Sequence, residues 1–377
     1  MPRLGGRYRL AEMGVESPAR GDGMKGLILA GGRGMRFGSL ARSLPKQLMP
    51  VANRPILDYA IDQLVNAGIR DIGVVISPKT GHQIRDALTR NSPSVDCTFI
   101  VQERPLGLAH GVLVAREFLA DEPFLLYLGD NLMGGDLESF VNVFQSASPD
   151  ALVLLKPVGD PRRFGVAELN RQGDILRLIE KPSRPTSDLA LVGIYAFSPA
   201  VHDVIAALEP SERGELEITH ALQALIDRGA IVRHMPLNSW WIDVGRAGDL
   251  LEANRLVLGA LIGTDVQGFI DEESRVSGCI HLAPGSCVTR CRLTGPVAIG
   301  SGTRITDSII GPATSIGRDC EIVQAHIAGS VVLDGASIEG ARFENRVVAS
   351  SEEIVGDDRA ERGERLVLYE GGRSQLR

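Results

Sequence analysis

Long apolar runs are missing from this chain. No uninterrupted stretch reaches the roughly 18 residues that a membrane-spanning helix needs, so no spanning helix is expected. The first 23 residues hold arginines, glycines and acids but no apolar h-region, so they are not read as a signal peptide. They read as a loose tail, or as residues upstream of a natural start at Met24. An excess of positive charge is missing as well. With 40 Lys and Arg against 47 Asp and Glu, the 377 residues carry a formal charge of −7. That balance argues against a nucleic-acid or membrane-surface partner, and any phosphate site must be a local positive pocket. Cysteines are few: five, an odd number without a secreted-module pattern, which points to a reducing cytoplasm. Cys279, Cys287 and Cys291 lack a close Cys-x2-Cys pair and a clear fourth ligand, so no zinc site is expected there.

What is present is enough for two cores: 44% of the residues are hydrophobic. The most informative stretch is Gly31-Gly32-Arg33-Gly34-Met35-Arg36, which follows the apolar run Leu27-Ile28-Leu29-Ala30 and precedes Lys46. A strand that empties into glycines exposes backbone N–H groups that no side chain can crowd. Arg36 and Lys46 add fixed positive charge beside them, a combination that suits a polyphosphate. The loop is neither a P-loop, because no Gly-Lys-Ser/Thr closes it, nor the G-x-G-x-x-G of dinucleotide folds.

From Lys25 to about Ile262, strand-like and helix-like segments alternate. Strands are expected at Gly26–Ala30, Ile72–Ile76, Thr98–Val101, Phe124–Leu128 and Ala151–Lys156. Helices are expected at Ile56–Ala67, Gly81–Leu88, Ala109–Leu119 and Leu137–Phe144. This alternation implies an α/β domain with right-handed crossovers and a mostly parallel sheet, whose ligand crevice lies at the carboxyl ends of the strands. The glycine loop and Leu128-Gly129-Asp130 both fall just after strands.

The second part is periodic. Val276, Leu282 and Val288, then Leu293, Ile299 and Ile305, then Ile310, Ile316 and Ile322 recur at six-residue steps, each triple 17 residues after the last. This is the hexapeptide signature of a parallel β-helix. The pattern holds for about four coils and frays at Glu339, which stands where an inward apolar residue is due. A helix at about Ala247–Leu261 joins the two parts. The expected division is a tail over 1–23, an α/β domain over 24–263, a β-helix over 264–356 and a polar tail over 357–377, capping or mobile.

Four motif groups carry a resemblance: Leu29 to Arg36 with Pro45 to Pro55; Gln102 to His110; Tyr127 to Asn131; and Arg163 to Val166 with Glu180-Lys181-Pro182, Gly214 to Thr219 and Trp240 to Gly245. In order and spacing they closely resemble the sugar-1-phosphate nucleotidylyltransferases, and among them the long glucose-1-phosphate thymidylyltransferases. The resemblance implies a Rossmann-like nucleotidyltransferase domain followed by a left-handed β-helix. It implies attack of a sugar-1-phosphate oxygen on the α-phosphorus of a nucleoside triphosphate with release of pyrophosphate: dTTP and glucose 1-phosphate giving dTDP-glucose. Such a reaction rests on alignment and charge stabilisation rather than a protein nucleophile.

By the same resemblance, Leu29, Ala30, Gly31, Gly32 and Gly34 form the nucleotide loop, with Gln102 reading the pyrimidine edge and Gly107 near it. Arg36 holds the triphosphate and Lys46 meets the α-phosphate. Asp130 and Asp243 hold one Mg2+; read alone, Asp130 is equally a turn residue and Asp243 a helix N-cap. Gly165, Glu180 and Lys181 receive the sugar phosphate. Trp240 and Trp241 wall the pocket or pack beneath it rather than stack on a base. The chain departs from the family at Met35, Gly38-Ser39, Ala41 and Arg54, which bears on rate and nucleotide preference. A UTP-using enzyme and a non-catalytic sugar-nucleotide-binding regulator are the alternatives. For the β-helix, assembly of identical chains into a homo-oligomer, or regulation, is favoured over acyl transfer, for which only His281 and His326 are at hand.

Overall fold

The computed structural model describes residues 23–32, 44–92, 94–261 and 263–356, and the backbone of Ser374–Gln375. Its first layer grows from four aliphatic strands: Lys25–Leu29 (β1), Ile72–Ile76 (β2), Cys97–Val101 (β3) and Phe124–Leu128 (β4). They lie in the order β3-β2-β1-β4 and are parallel throughout. Leu27, Ile28, Val74, Val75, Leu125 and Leu126 are fully buried, as continuous apolar runs must be in strands covered on both faces. The connecting helices are Ile56–Asn66 (α1), Gly81–Asn91 (α2), Leu108–Val114 (α3), Arg116–Leu119 (α4) and Glu138–Ala147 (α5). The single helix expected over Ala109–Leu119 is thus two, broken at Ala115 (ψ 2°). Beyond the break Phe118 packs over Gly73 of β2, leaving no room for a Cβ there.

Five further strands complete the sheet: Ala151–Pro157 (β5), Gly165–Leu169 (β6), Ile175–Glu180 (β7), Leu189–Phe197 (β8) and Val232–Pro236 (β9). β8 runs antiparallel to β4, β5 and β6, and β9 runs parallel to β5. The parallel order expected from the βα alternation therefore holds in the first half, and β8 turns the second half mixed. Val201–Ala206 (α6), Ile218–Asp227 (α7) and Ala247–Gly259 (α8) follow. Because β1 stands between β2 and β4, the strand order reverses at its carboxyl end, where such sheets bind ligands.

From Asp265 onward the chain winds into three all-parallel sheets of six, seven and five strands among the described residues, the sheets of a β-helix. Leu282, Val288, Leu293, Ile299, Ile305, Ile310, Ile316 and Ile322 all point inward and are buried. Val276 does not: it stands in the first coil, in the end strand of its sheet among the described residues, and is 44% exposed. The pattern does not fray at Glu339. Ile305 faces Ile322, 17 residues on, whereas Ile322 faces Ile338, 16 residues on. One residue is missing between Ile327 and Val332, so Ile338 takes the inward place and Glu339 turns to solvent. The winding continues to Glu353–Val355, onto which the backbone of Ser374–Gln375 adds in parallel.

The two parts share a core. Met49, Val51, Ile56, Leu132, Val244, Leu250 and Ala253 form one apolar cluster with Val331, Leu333 and Val347 of the β-helix. At its edge Asn254 of α8 is fully buried. Its Oδ1 accepts from Ala52 N and Ser315 Oγ, both at 2.8 Å, and its Nδ2 donates to Ala313 O at 3.3 Å. Asn53 Nδ2 donates to Ile316 O at 2.7 Å. Ala52 and Asn53 form the tip of a tight hairpin (Pro50–Val51 with Arg54–Pro55), both at positive φ as a primed turn requires.

Candidate active site

β1 ends at Leu29, and Ala30 N donates to Val75 O at 2.8 Å, which leaves Gly31 and Gly32 at the mouth of the sheet. A Cβ on Gly32 would stand 2.8 Å from Lys46 Cε, so the bare glycine leaves the lysine room to cross the loop in this conformation. Lys46 opens a 3-10 turn, Lys46–Leu48, that leads into the hairpin. Its Nζ pairs with Asp130 Oδ2, with both side chains largely shielded from solvent. Gly34, Arg36, Met35, Gly38, Ser39 and Ala41 lie outside the described residues.

Asp130 follows β4 by one glycine, and Gly129 N is tied to Leu29 O at 3.0 Å, so β1 and β4 deliver the loop and the carboxylate to one level. The next residues, Asn131–Met133, pair antiparallel with Trp241–Asp243, which sets Asp243 opposite Asn131. Val244 N donates to Asp130 O at 3.0 Å and closes this ladder. Asp243 is not an N-cap: Arg246 holds that position before α8, with no side-chain cap bond. Burial, then the neighbouring charge of Asp130, push the Asp243 carboxyl up to about 6, against the pull of Lys46. Trp241 of this ladder packs against the core. Its Nε1 donates to Asn131 Oδ1 at 2.6 Å and its ring lies 5.0 Å from that of Phe164.

The second group sits on the β6–β7 hairpin. Glu180 pairs in register with Gly165. Its Oε1 meets Lys181 Nζ and Arg213 Nη1, each at 3.2 Å, and its Oε2 accepts from Thr219 Oγ1 at 3.1 Å. A Cβ on Gly165 would come within 2.5 Å of Thr219 Cγ2. Lys181 itself holds φ 41°, a costly conformation for a lysine of the kind that clusters at ligand clamps. Arg213 was not singled out from the sequence, although it immediately precedes the Gly214 motif; it also pairs with buried Glu217 at 3.1 Å. Burial, then the charge of Glu180, raise the Glu217 carboxyl above its usual range. Buried Tyr195 of β8 joins the two groups, its phenol raised by burial and by the charges of both Glu180 and Asp243.

The third group reads across the loop. Gln102 follows β3, and its Nε2 contacts Gly107 O at 3.3 Å and His110 Nδ1 at 2.8 Å. Gly107 takes φ 105°, and a Cβ there would lie 2.4 Å from Leu216 O. That close approach joins the Gln102 loop to the Gly214–Thr219 segment.

Lys46, Asp130 and Asp243 are thus brought together, as are Gly165, Glu180 and Lys181, and Gly31 with Gln102. A cation beside two carboxylates at a strand-end crevice can align anionic reactants and stabilise charge. Both carboxylates offer only oxygen donors, and a hard divalent cation between them would offset the burial and the repulsion from Asp130 that raise Asp243. Among the described residues no third His, Cys, Asp or Glu gathers with them, so water and substrate oxygens would fill the rest of such an ion's shell.

The chain resembles known proteins along most of its length. Residues 25–259 match the profile of the nucleotidyl transferase family. A glucose-1-phosphate thymidylyltransferase of Streptomyces griseus is 44% identical over 94% of this chain and 99% of its own. A low-salt glycan biosynthesis nucleotidyltransferase of Haloferax volcanii is 40% identical over 94% of this chain and 100% of its own. A Bacillus anthracis structure assigned as a glucose-1-phosphate thymidylyltransferase superposes with a TM-score of 0.58 at 34% identity, covering 62% of this chain and 94% of that one. The match over residues 25–259 and the full-length relatives together show that the chain belongs to the nucleotidyl transferase family.

Proposed function

We propose that the protein transfers a nucleotidyl group from dTTP to glucose 1-phosphate, forming dTDP-glucose and pyrophosphate. The observation that carries this reading is the shielded Lys46–Asp130 pair beside Asp243, at the carboxyl ends of β1 and β4. The names of the full-length relatives support the choice of both substrates. In this reading the backbone of Leu29, Ala30, Gly31, Gly32 and Gly34, with Gln102 and Gly107, receives the nucleotide. Gly165, Glu180, Lys181 and Arg213 receive the sugar phosphate: the carboxylate accepts sugar hydroxyls and the cations meet the phosphate. Lys46 and Arg36 stabilise the charge that moves toward the departing pyrophosphate. Asp130 and Asp243 fit a divalent cation, Mg2+, which when bound supplies charge neutralisation at the phosphates. We further assign the protein to the cytoplasm, as a homo-oligomer, with domain limits at 24–263 and 264–356.

The test is pyrophosphate release with dTTP, glucose 1-phosphate and Mg2+, beside UTP in place of dTTP. Asp130→Asn and Asp243→Asn each lower kcat by about a thousandfold, on the scale of losing a major electrostatic contact, with unchanged circular dichroism. Normal turnover in both variants overturns the assignment of the metal site. A faster reaction with UTP moves the substrate to the uridine nucleotide.

A further inference from the structure

Gln102 carries two amide hydrogens, and both are spent inside the protein. One faces Gly107 O at 3.3 Å and the other faces His110 Nδ1 at 2.8 Å. An imidazole nitrogen opposite an amide NH2 can only accept, so His110 is neutral and carries its proton on Nε2. Both acceptors come from one turn: Gly107, held at φ 105° against Leu216, opens the helix Leu108–Val114 on which His110 sits. With Nε2 held there, Oε1 is turned toward the glycine loop, 3.3 Å from the place a Cβ would take on Gly31.

We propose that His110 is a positioning residue for base selection: it locks the Gln102 amide so that the pocket offers the nucleobase an acceptor and no donor from this side chain. A base with a ring N–H, such as thymine or uracil, then donates to Oε1. Cytosine, which presents a ring lone pair at the same edge, meets that oxygen with a repulsive match. Burial and the nearby charge of Arg104 keep the imidazole in its neutral, accepting form. The inference rests on the reading that Gln102 faces the base, and it assigns the orientation of that amide to a residue that need not touch the nucleotide.

The experiment compares kcat/KM for dTTP and dCTP in the full-length protein and in His110→Leu, His110→Asn and Gln102→Ala, with Tm recorded for each. In His110→Leu the preference for dTTP over dCTP falls by about 10- to 100-fold, the range of a lost pocket contact. His110→Asn, whose Oδ1 restores an acceptor, retains most of the preference. A ratio between two nucleotides is not moved by a general loss of folded protein; should His110→Leu fold poorly, His110→Phe keeps a ring without the acceptor and reads the same ratio. If Gln102→Ala lowers the preference while the apolar His110 variants keep it, the positioning role is overturned and the base-reading role survives. If Gln102→Ala leaves both the preference and the KM for dTTP unchanged, the base-reading role itself fails.

Discussion

Asn254 Oδ1 accepts from Ser315 Oγ and from Ala52 N at the same 2.8 Å, so one amide ties the β-helix to the hairpin that leads back to Lys46. Removing it leaves a buried hydroxyl and a buried N–H without their partner. Asn254→Ala should cost about 2–4 kcal/mol of stability, the range for orphaned buried polar groups. Thermal unfolding reads the loss, and turnover per folded molecule should fall as well, because the hairpin supports the segment that carries Lys46.

Gly165 faces Thr219 with no room for a methyl group. Gly165→Ala should displace Thr219 or the β6–β7 hairpin and, with it, Glu180. The expected result is a KM for glucose 1-phosphate raised by about tenfold, equivalent to ~1.4 kcal/mol, with the KM for dTTP little changed. Steady-state kinetics varying each substrate in turn separates the two.

Asp243 titrates near 6, raised first by burial and then by Asp130. A cation needs the carboxylate, so proton and metal compete. As the pH falls below about 6, the Mg2+ concentration for half-maximal rate should rise by about tenfold per pH unit, the slope for one released proton. Mg2+ titrations at pH 5.0, 5.5 and 7.5 check the slope.

Asp58 of α1 is 3% exposed, and burial lifts its carboxyl to about 6 despite Arg54 and the Asn91 bond. Its folded pKa lies above the unfolded value, so its stabilising contribution is full below pH 4 and is lost as the pH rises through 6. Asp58→Asn should therefore raise stability at pH 7.5 by about 1–2 kcal/mol and change little at pH 4, measured by denaturant unfolding at the two pH values. Asn91 keeps its acceptor in the variant, and Arg54 keeps Asp62 at 2.7 Å.

Much of this architecture is legible in the sequence, because its periods are short and its runs apolar. β1, β2 and β4 are continuous aliphatic segments, and the inward residues from Leu282 to Ile322 repeat too regularly for ordinary strands. The later strands were harder. β8 contains Gly193 at positive φ and a shift of register between Leu191 and Tyr195, so it shows no clean alternation. The apparent break at Glu339 came from one deleted residue, which shifts a strict count by one while the coil itself persists. Lys46, Asp130, Asp243 and Glu180 were legible as motif residues, but Asp130 and Asp243 meet only through a two-stranded ladder between segments more than a hundred residues apart. Asn254 is marked in the sequence as well. It shares the buried face of α8 with Leu250, Ala253 and Leu258, and an amide on such a stripe demands a partner from elsewhere.

The common apolar cluster has a practical bearing on recombining such enzymes. The seam along which a β-helix could be grafted onto another member does not run where the helical repeats begin. It passes through Ala52 and Asn53 at the hairpin tip and Asn254 on the joining helix, so a chimera that transplants the coils alone inherits mismatched sockets. The exchangeable cassette is discontinuous in the gene, and its smallest piece lies more than two hundred codons upstream of the rest.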